Sequence, residues 1–128
     1  MGDDRGNTKC LKTAMYTEQI NHIKSYTAKL AAAMPDAMKA FYSLSRASSI
    51  PGALDTKTKE LIALAIGVAK HCDGCIAFHT RAALQAGATP EEIMETLMVT
   101  VAMDGGPALM YATHVLEALE EFSQGQAP

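Results

Sequence analysis

Helical periodicity, cut repeatedly by strong helix stops, is the feature that most limits what this chain can fold into. Thr17 is placed to cap a first helix, and Ile20, Ile23, Tyr26/Thr27 and Leu30 follow at helical spacing. Pro35 disfavours helical backbone at Met34 and suits the first turn of a second helix, striped by Met38, Phe41, Tyr42 and Ser45. Ile50-Pro51-Gly52 reads as a loop. Asp55 then caps a third helix. Its residues Leu61, Ile62, Leu64, Ala65, Ile66, Val68 and Ala69 are apolar on nearly every side, which predicts the most buried helix of the set. Cys72-Asp73-Gly74-Cys75 interrupts the pattern, and a fourth helix runs to Ala86 with Gly87 as its terminal glycine. Thr89-Pro90-Glu91-Glu92 is a capping box with proline at the first position, opening a fifth helix faced by Ile93/Met94, Leu97/Met98 and Val101. Asp104-Gly105-Gly106-Pro107 separates it from a sixth, carrying Leu109, Met110, Thr113, Leu116 and Leu119. No strand alternation competes. The expectation is an all-α domain of about six helices over residues 17–123, preceded by a polar, mobile N-terminal arm over residues 1–16.

Composition agrees. The 128 residues are 48% apolar but only 5% aromatic, without tryptophan. Alanine and methionine supply much of the apolar share, whereas β-sandwiches and barrels draw on aromatic and β-branched residues. The length suits one domain with a real core. A net charge of −3, with no basic cluster, argues against a nucleic-acid partner or a basic membrane helix. The longest apolar run, Leu61 to Ala69, is far short of the roughly 20 residues that span a bilayer. The first residues lack the basic-then-apolar order of a signal peptide. These features point to the cytoplasm. Three cysteines is an odd count, too few for a disulfide scaffold.

The chemistry concentrates in KELIALAIGVAKHCDGCIAFH, which holds Glu60, Cys72, Cys75 and His79 at intervals of twelve, three and four residues. The C-x-x-C falls where a helix should begin, and the partial positive charge there stabilises a thiolate. Cys75 and His79 lie one turn apart on one helical face, within base-to-nucleophile reach. Cys72 lies on the same side. Glu60 reaches that face only if the third and fourth helices pack as a hairpin. A thiolate attacks peroxides and disulfides quickly, and an imidazole that takes the thiol proton supplies it. A second cysteine traps the resulting sulfenic acid as a disulfide. A carboxylate behind the histidine orients the imidazole. On this reading Cys75 attacks, Cys72 resolves, and His79 and Glu60 move protons, with no cofactor required.

Blander readings stand beside this one. Cys72, Cys75 and His79, with His71 as a fourth, make a zinc ligand count on paper, although ligands within two turns of one helix close a tetrahedron poorly. Glu60 taken alone reads as a solvated first-turn carboxylate. The methionines at 94, 98, 103 and 110 read as core or interface filler. His22 and His114 read as structural or surface residues, and Cys10 as incidental. A helical partner-binding domain with a vestigial site is a third reading.

These residues resemble the carboxymuconolactone decarboxylase superfamily, in its alkylhydroperoxidase (AhpD-like) branch. The likeness rests on Glu60, then eleven residues, then Cys72-x-x-Cys75-x-x-x-His79. It extends over roughly Pro35 to Leu119, including AALQAGATPEEIMETLMVTVAMDGGPALMYA. The resemblance implies an all-helical fold assembled into trimers, hexamers or similar rings. It implies a peroxidatic Cys75, a resolving Cys72, and a proton relay through His79 and Glu60. It implies re-reduction by a partner dithiol such as a lipoyl group, with a peroxiredoxin as a further partner. The decarboxylase branch lacks this cysteine pair. In one respect the sequence departs from the branch: a histidine usually precedes the second cysteine, and here that position is Gly74, beside Asp73. An unpaired Asp73 would raise the thiol pKa values. That departure favours a weaker peroxidase, or a thiol-disulfide exchange partner.

Overall fold

The computed structural model describes residues 4–124, with side chains from residue 15 onward. Six helices follow in order: α1 (Asp4–Ala33), α2 (Pro35–Ser49), α3 (Thr56–Ala69), α4 (Asp73–Gln85), α5 (Pro90–Asp104) and α6 (Gly106–Gln124). There is no strand among the described residues. The all-α expectation holds.

The expected stops and starts set the boundaries. Met34 closes α1 in a non-helical conformation, and Pro35 occupies the first turn of α2. Asp55 caps α3 by accepting the Thr58 N–H at 2.8 Å. At α5, Thr89 Oγ1 accepts the Glu92 N–H at 3.1 Å, and Glu92 returns the bond to the Thr89 N–H at 2.9 Å. Gly87 takes φ +96° just after α4. Its N–H bonds the Leu84 carbonyl, and that of Ala88 bonds the Ala83 carbonyl. This pairing closes the helix end by the glycine-dependent Schellman arrangement.

Helices α3 to α6 enclose the main core: Leu64 and Val68 of α3, Ile76 and Ala83 of α4, Ile93 and Leu97 of α5, and Ala108, Ala112, Val115 and Leu119 of α6. The last third of α6 also joins Tyr16 and Ile20 of α1 and Ala77 of α4 in a second cluster, through Ala118 and Phe122. The frequent alanines let these helices approach closely.

Two expectations need correction. The first helix does not start at Thr17, because the chain is already helical from Asp4; residues 1–3, and the side chain of Cys10, lie outside the described residues. Tyr16 is buried in the second cluster. Its N–H donates to Glu121 at 2.9 Å, and the Thr17 N–H and hydroxyl donate to the same carboxylate at 2.7 Å each. The buried carboxylate that receives them lies over a hundred residues away, beyond any local signal.

The second correction concerns α3, which is not the most buried helix. Leu64, Gly67 and Val68 are buried, but Ile62 and Ile66 are 46% and 55% exposed. α3 packs against α4 and α5 on one side, and this chain leaves its other side uncovered. Helix α6 buries the longest run instead. The methionines at 94, 98, 103 and 110 are likewise exposed and not part of this chain's core. Helix α2 has no buried residue at all.

Candidate active site

The site is built on the α3–α4 hairpin. Glu60, Leu64 and Gly67 recur at helical spacing on the face of α3 that meets α4. α3 ends in a second Schellman arrangement: the His71 N–H bonds the Val68 carbonyl at 3.1 Å, and the Cys72 N–H bonds the Gly67 carbonyl at 2.9 Å. His71 therefore takes the left-handed conformation, φ 55°, usually left to glycine. Its ring stacks on Tyr111 with centroids 4.6 Å apart and planes 11° from parallel. The sequence had left His71 without a role; it forms the corner that turns the chain into the motif.

Cys72 is the N-terminal cap of α4, and its Sγ accepts the Cys75 N–H at 3.1 Å. Cys72 and Cys75 are joined as a disulfide, their Cα atoms 5.2 Å apart. Both sulfurs thus sit at the positive end of α4, where a thiolate released by reduction is stabilised. Gly67 makes this placement possible. A Cβ there would lie 2.9 Å from Cys75 Cβ, so only glycine lets the first turn of α4 settle on α3.

Glu60 and His79 meet. His79 Nδ1 lies 2.7 Å from Glu60 Oε2. The Glu60 side chain is only 14% exposed and that of His79 36%, so the carboxylate is sheltered behind a ring whose edge reaches solvent. With Nδ1–H held by the carboxylate, Nε2 is the nitrogen free to accept or return a proton. Glu60 is therefore not the solvated first-turn carboxylate that it resembles in isolation.

Two residues were not expected at the site. Asp73 Oδ1 lies 2.6 Å from His114 Nδ1, a pair reaching from the first turn of α4 to the middle of α6. The sequence raised the cost of an unpaired Asp73 and read His114 as a structural or surface residue. Nothing local joins positions 41 residues apart; only the packing of α4 against α6 does. Next to them, the Tyr16 hydroxyl donates to Glu117 at 3.1 Å. Burial, then Glu117, then Asp73 and Glu121 hold the Tyr16 hydroxyl well above the usual phenol range. An open cleft of about 460 Å³ is lined by Met15, Tyr16, Gln19, Asp73, His114 and Glu117.

Among the described residues, no group of three or more His, Cys, Asp or Glu side chains is arranged to hold a metal ion. No helix among them is long and apolar enough to cross a membrane.

Comparison with known proteins places this geometry in context. Residues 35–118 match the model of the carboxymuconolactone decarboxylase family. A carboxymuconolactone decarboxylase family protein from Legionella pneumophila superposes with a TM-score of 0.83 at 49% identity, covering 86% of this chain and 98% of that one. A Thermotoga maritima protein of the same family, whose involvement in an antioxidative response has been raised as a possibility, superposes with a TM-score of 0.67 at 34% identity. That match covers 70% of this chain and 93% of the other. An uncharacterized protein from Cupriavidus necator is 41% identical over 98 residues, 77% of this chain and 87% of its own length.

Proposed function

The chain belongs to the carboxymuconolactone decarboxylase family, and from that premise we propose that it is a thiol-dependent, alkylhydroperoxidase-like antioxidant enzyme. The observation that carries this reading is the 2.7 Å bond between His79 and Glu60, formed across the same hairpin that joins Cys72 to Cys75.

The cycle starts from the dithiol. His79 takes the Cys75 proton through Nε2, and Glu60 stabilises the imidazolium. The Cys75 thiolate attacks the distal oxygen of a hydroperoxide. The O–O bond breaks, and the alkoxide takes its proton from His79 to leave as an alcohol. Cys75 is now a sulfenic acid. Cys72 attacks its sulfur, expels water and forms the disulfide. An external dithiol, such as a lipoyl group, then reduces the disulfide and leaves oxidised itself. The net reaction turns one hydroperoxide and one dithiol into an alcohol, water and a disulfide. A peroxiredoxin could stand downstream as an electron acceptor, and a reducing cytoplasm suits such a cycle.

The exposed apolar faces support a homo-oligomer, and the family resemblance makes the trimer or hexamer its expected type. Ile66, Val99 and Met103 line a groove between α3 and α5, and α2 leaves Phe41 and Leu44 exposed.

Thiol titration before and after stoichiometric peroxide tests the reading. Two thiols should be lost per peroxide, with a Cys72–Cys75 disulfide formed. Cys75→Ser should abolish turnover, and Cys72→Ser should stop at one sulfenic acid. Both thiols remaining titratable would overturn the reading. A second reading, thiol-disulfide exchange, is favoured by the absence of an imidazole between the cysteines, where Asp73 and Gly74 stand. It predicts rapid reduction of a small disulfide by the dithiol form with little peroxide consumption.

A further inference from the structure

Both chain neighbours of Cys72 are tied to α6. His71, before it, stacks on Tyr111. Asp73, after it, bonds His114. Tyr111 also meets His114 edge-on, with centroids 5.0 Å apart. The three rings form a continuous string beside the redox motif. Asp73 is the first residue of α4, lodged in the chain between two sulfurs that must carry negative charge to react. A carboxylate there works against the thiolates as a like charge.

We propose that His114 is a positioning residue for the redox motif, whose ring, bonded to the Asp73 carboxylate, offsets its negative charge and so keeps the Cys72/Cys75 pair reactive. This deepens the thiol chemistry proposed above and rests on it only in requiring that the cysteines react as thiolates. The groups facing His114 fix the sign of the effect. Asp73 approaches from α4. Tyr16 and Glu117, bonded to each other, line the same cleft from α1 and α6. His71 stands one ring further along, behind Tyr111. The tyrosine hydroxyl donates to Glu117, so Asp73 is the carboxylate left on this side for the His114 ring to answer. The pair is part-exposed, with side chains 35% and 44% accessible, so the cleft gives water a route to it. His114 acts through Asp73, without contact to the sulfurs being required.

Alkylation of the reduced full-length protein by iodoacetamide, followed across pH 5.5–9.5 and assigned to Cys72 and Cys75 by peptide mass spectrometry, tests this without any peroxide. His114→Gln should slow alkylation at neutral pH by about three- to tenfold and move the profile to higher pH, as an uncompensated nearby carboxylate does. Asp73→Asn should alkylate at least as fast as the unaltered protein. The double variant should return to within about twofold of the unaltered rate, because no carboxylate remains to be answered. A structural latch between α4 and α6 would instead be broken in all three variants, with one sign. An unchanged profile for His114→Gln, a slower Asp73→Asn, or a double variant as slow as His114→Gln overturns the proposal. If His114→Gln fails to fold, the sign of Asp73→Asn alone decides. Shifted profiles with no peroxide consumption would refute the peroxidase and leave this proposal standing.

Discussion

A methyl group placed on Gly67 tests how closely α3 and α4 must meet at the motif. In Gly67→Ala the new Cβ lies 2.9 Å from Cys75 Cβ, 3.6 Å from the Cys75 carbonyl carbon and 3.7 Å from the Ile76 nitrogen. The last two are ordinary contacts. The first is not, and its partner is a Cβ fixed to the backbone, which no rotamer change can move. Restoring ordinary separation requires the start of α4 to move off α3 by about 0.5–1 Å, a strain of the kind that costs about 1–3 kcal/mol in a packed interior. Alanine is the better helix former and returns about 1 kcal/mol. The net expectation is a loss of about 1 kcal/mol, or a melting temperature lower by about 3–5 °C for a chain of this size. The same displacement pulls at the Cys72 N–H bond to the Gly67 carbonyl and at the His79–Glu60 contact further along the hairpin. Peroxide-driven thiol loss should therefore slow by more than stability alone predicts. Denaturant unfolding at fixed protein concentration, with thiol titration on the same sample, measures both. A Gly67→Ala protein as stable as the parent, or more stable, would refute the argument, because helix propensity would then have met no steric opposition.

Glu60→Gln keeps the shape of the relay and removes its charge; thiol oxidation by peroxide should slow by about tenfold or more, while the melting temperature changes by a few degrees at most. Thr89→Ala removes one half of the capping box on α5 and should cost about 1 kcal/mol in denaturant unfolding, with thiol reactivity unchanged. Acid should weaken the fold through two surface carboxylates. The Thr58 hydrogen bonds hold Asp55 below its ordinary 3.8, and Lys57, then Thr89, holds Glu92 below its ordinary 4.5. Because both folded-state values are lowered, their stabilisation is complete above about pH 4.5 and disappears as the pH falls through them. Thermal melts between pH 5 and pH 2 should show a shallower decline in Asp55→Asn/Glu92→Gln than in the parent.

The helix boundaries were legible because their signals are local: Pro35, Asp55, Gly87 and Thr89-Pro90-Glu91-Glu92 each act within a turn of where they stand. The Glu60–His79 contact was half legible. Spacing put Cys75 and His79 on one face, and the short break at the motif allowed a hairpin, but Gly67 had to be seen under Cys75 before the register was fixed. The start of α1 was misread because Tyr16 is sequestered by Phe122 and Glu121, at the far end of the chain. The burial of α3 was overestimated because apolar residues show that a face avoids water, without showing which chain covers it. The Asp73–His114 pair was illegible for a related reason. It depends on the register of α4 against α6, set by the buried side chains between them.

The uncovered α2 has a consequence in time as well as in space. Fifteen residues of helix are marginal in water when isolated, and α2 buries no side chain of its own within this chain. Its amide protons should therefore exchange earliest, through openings that leave the α3–α6 core closed. If neighbouring copies cover it, that exchange slows as protein concentration rises, while exchange in the core does not. The rate at which α2 takes up deuterium then becomes a clock for assembly, readable residue by residue and independent of whether the cysteines are oxidised or reduced.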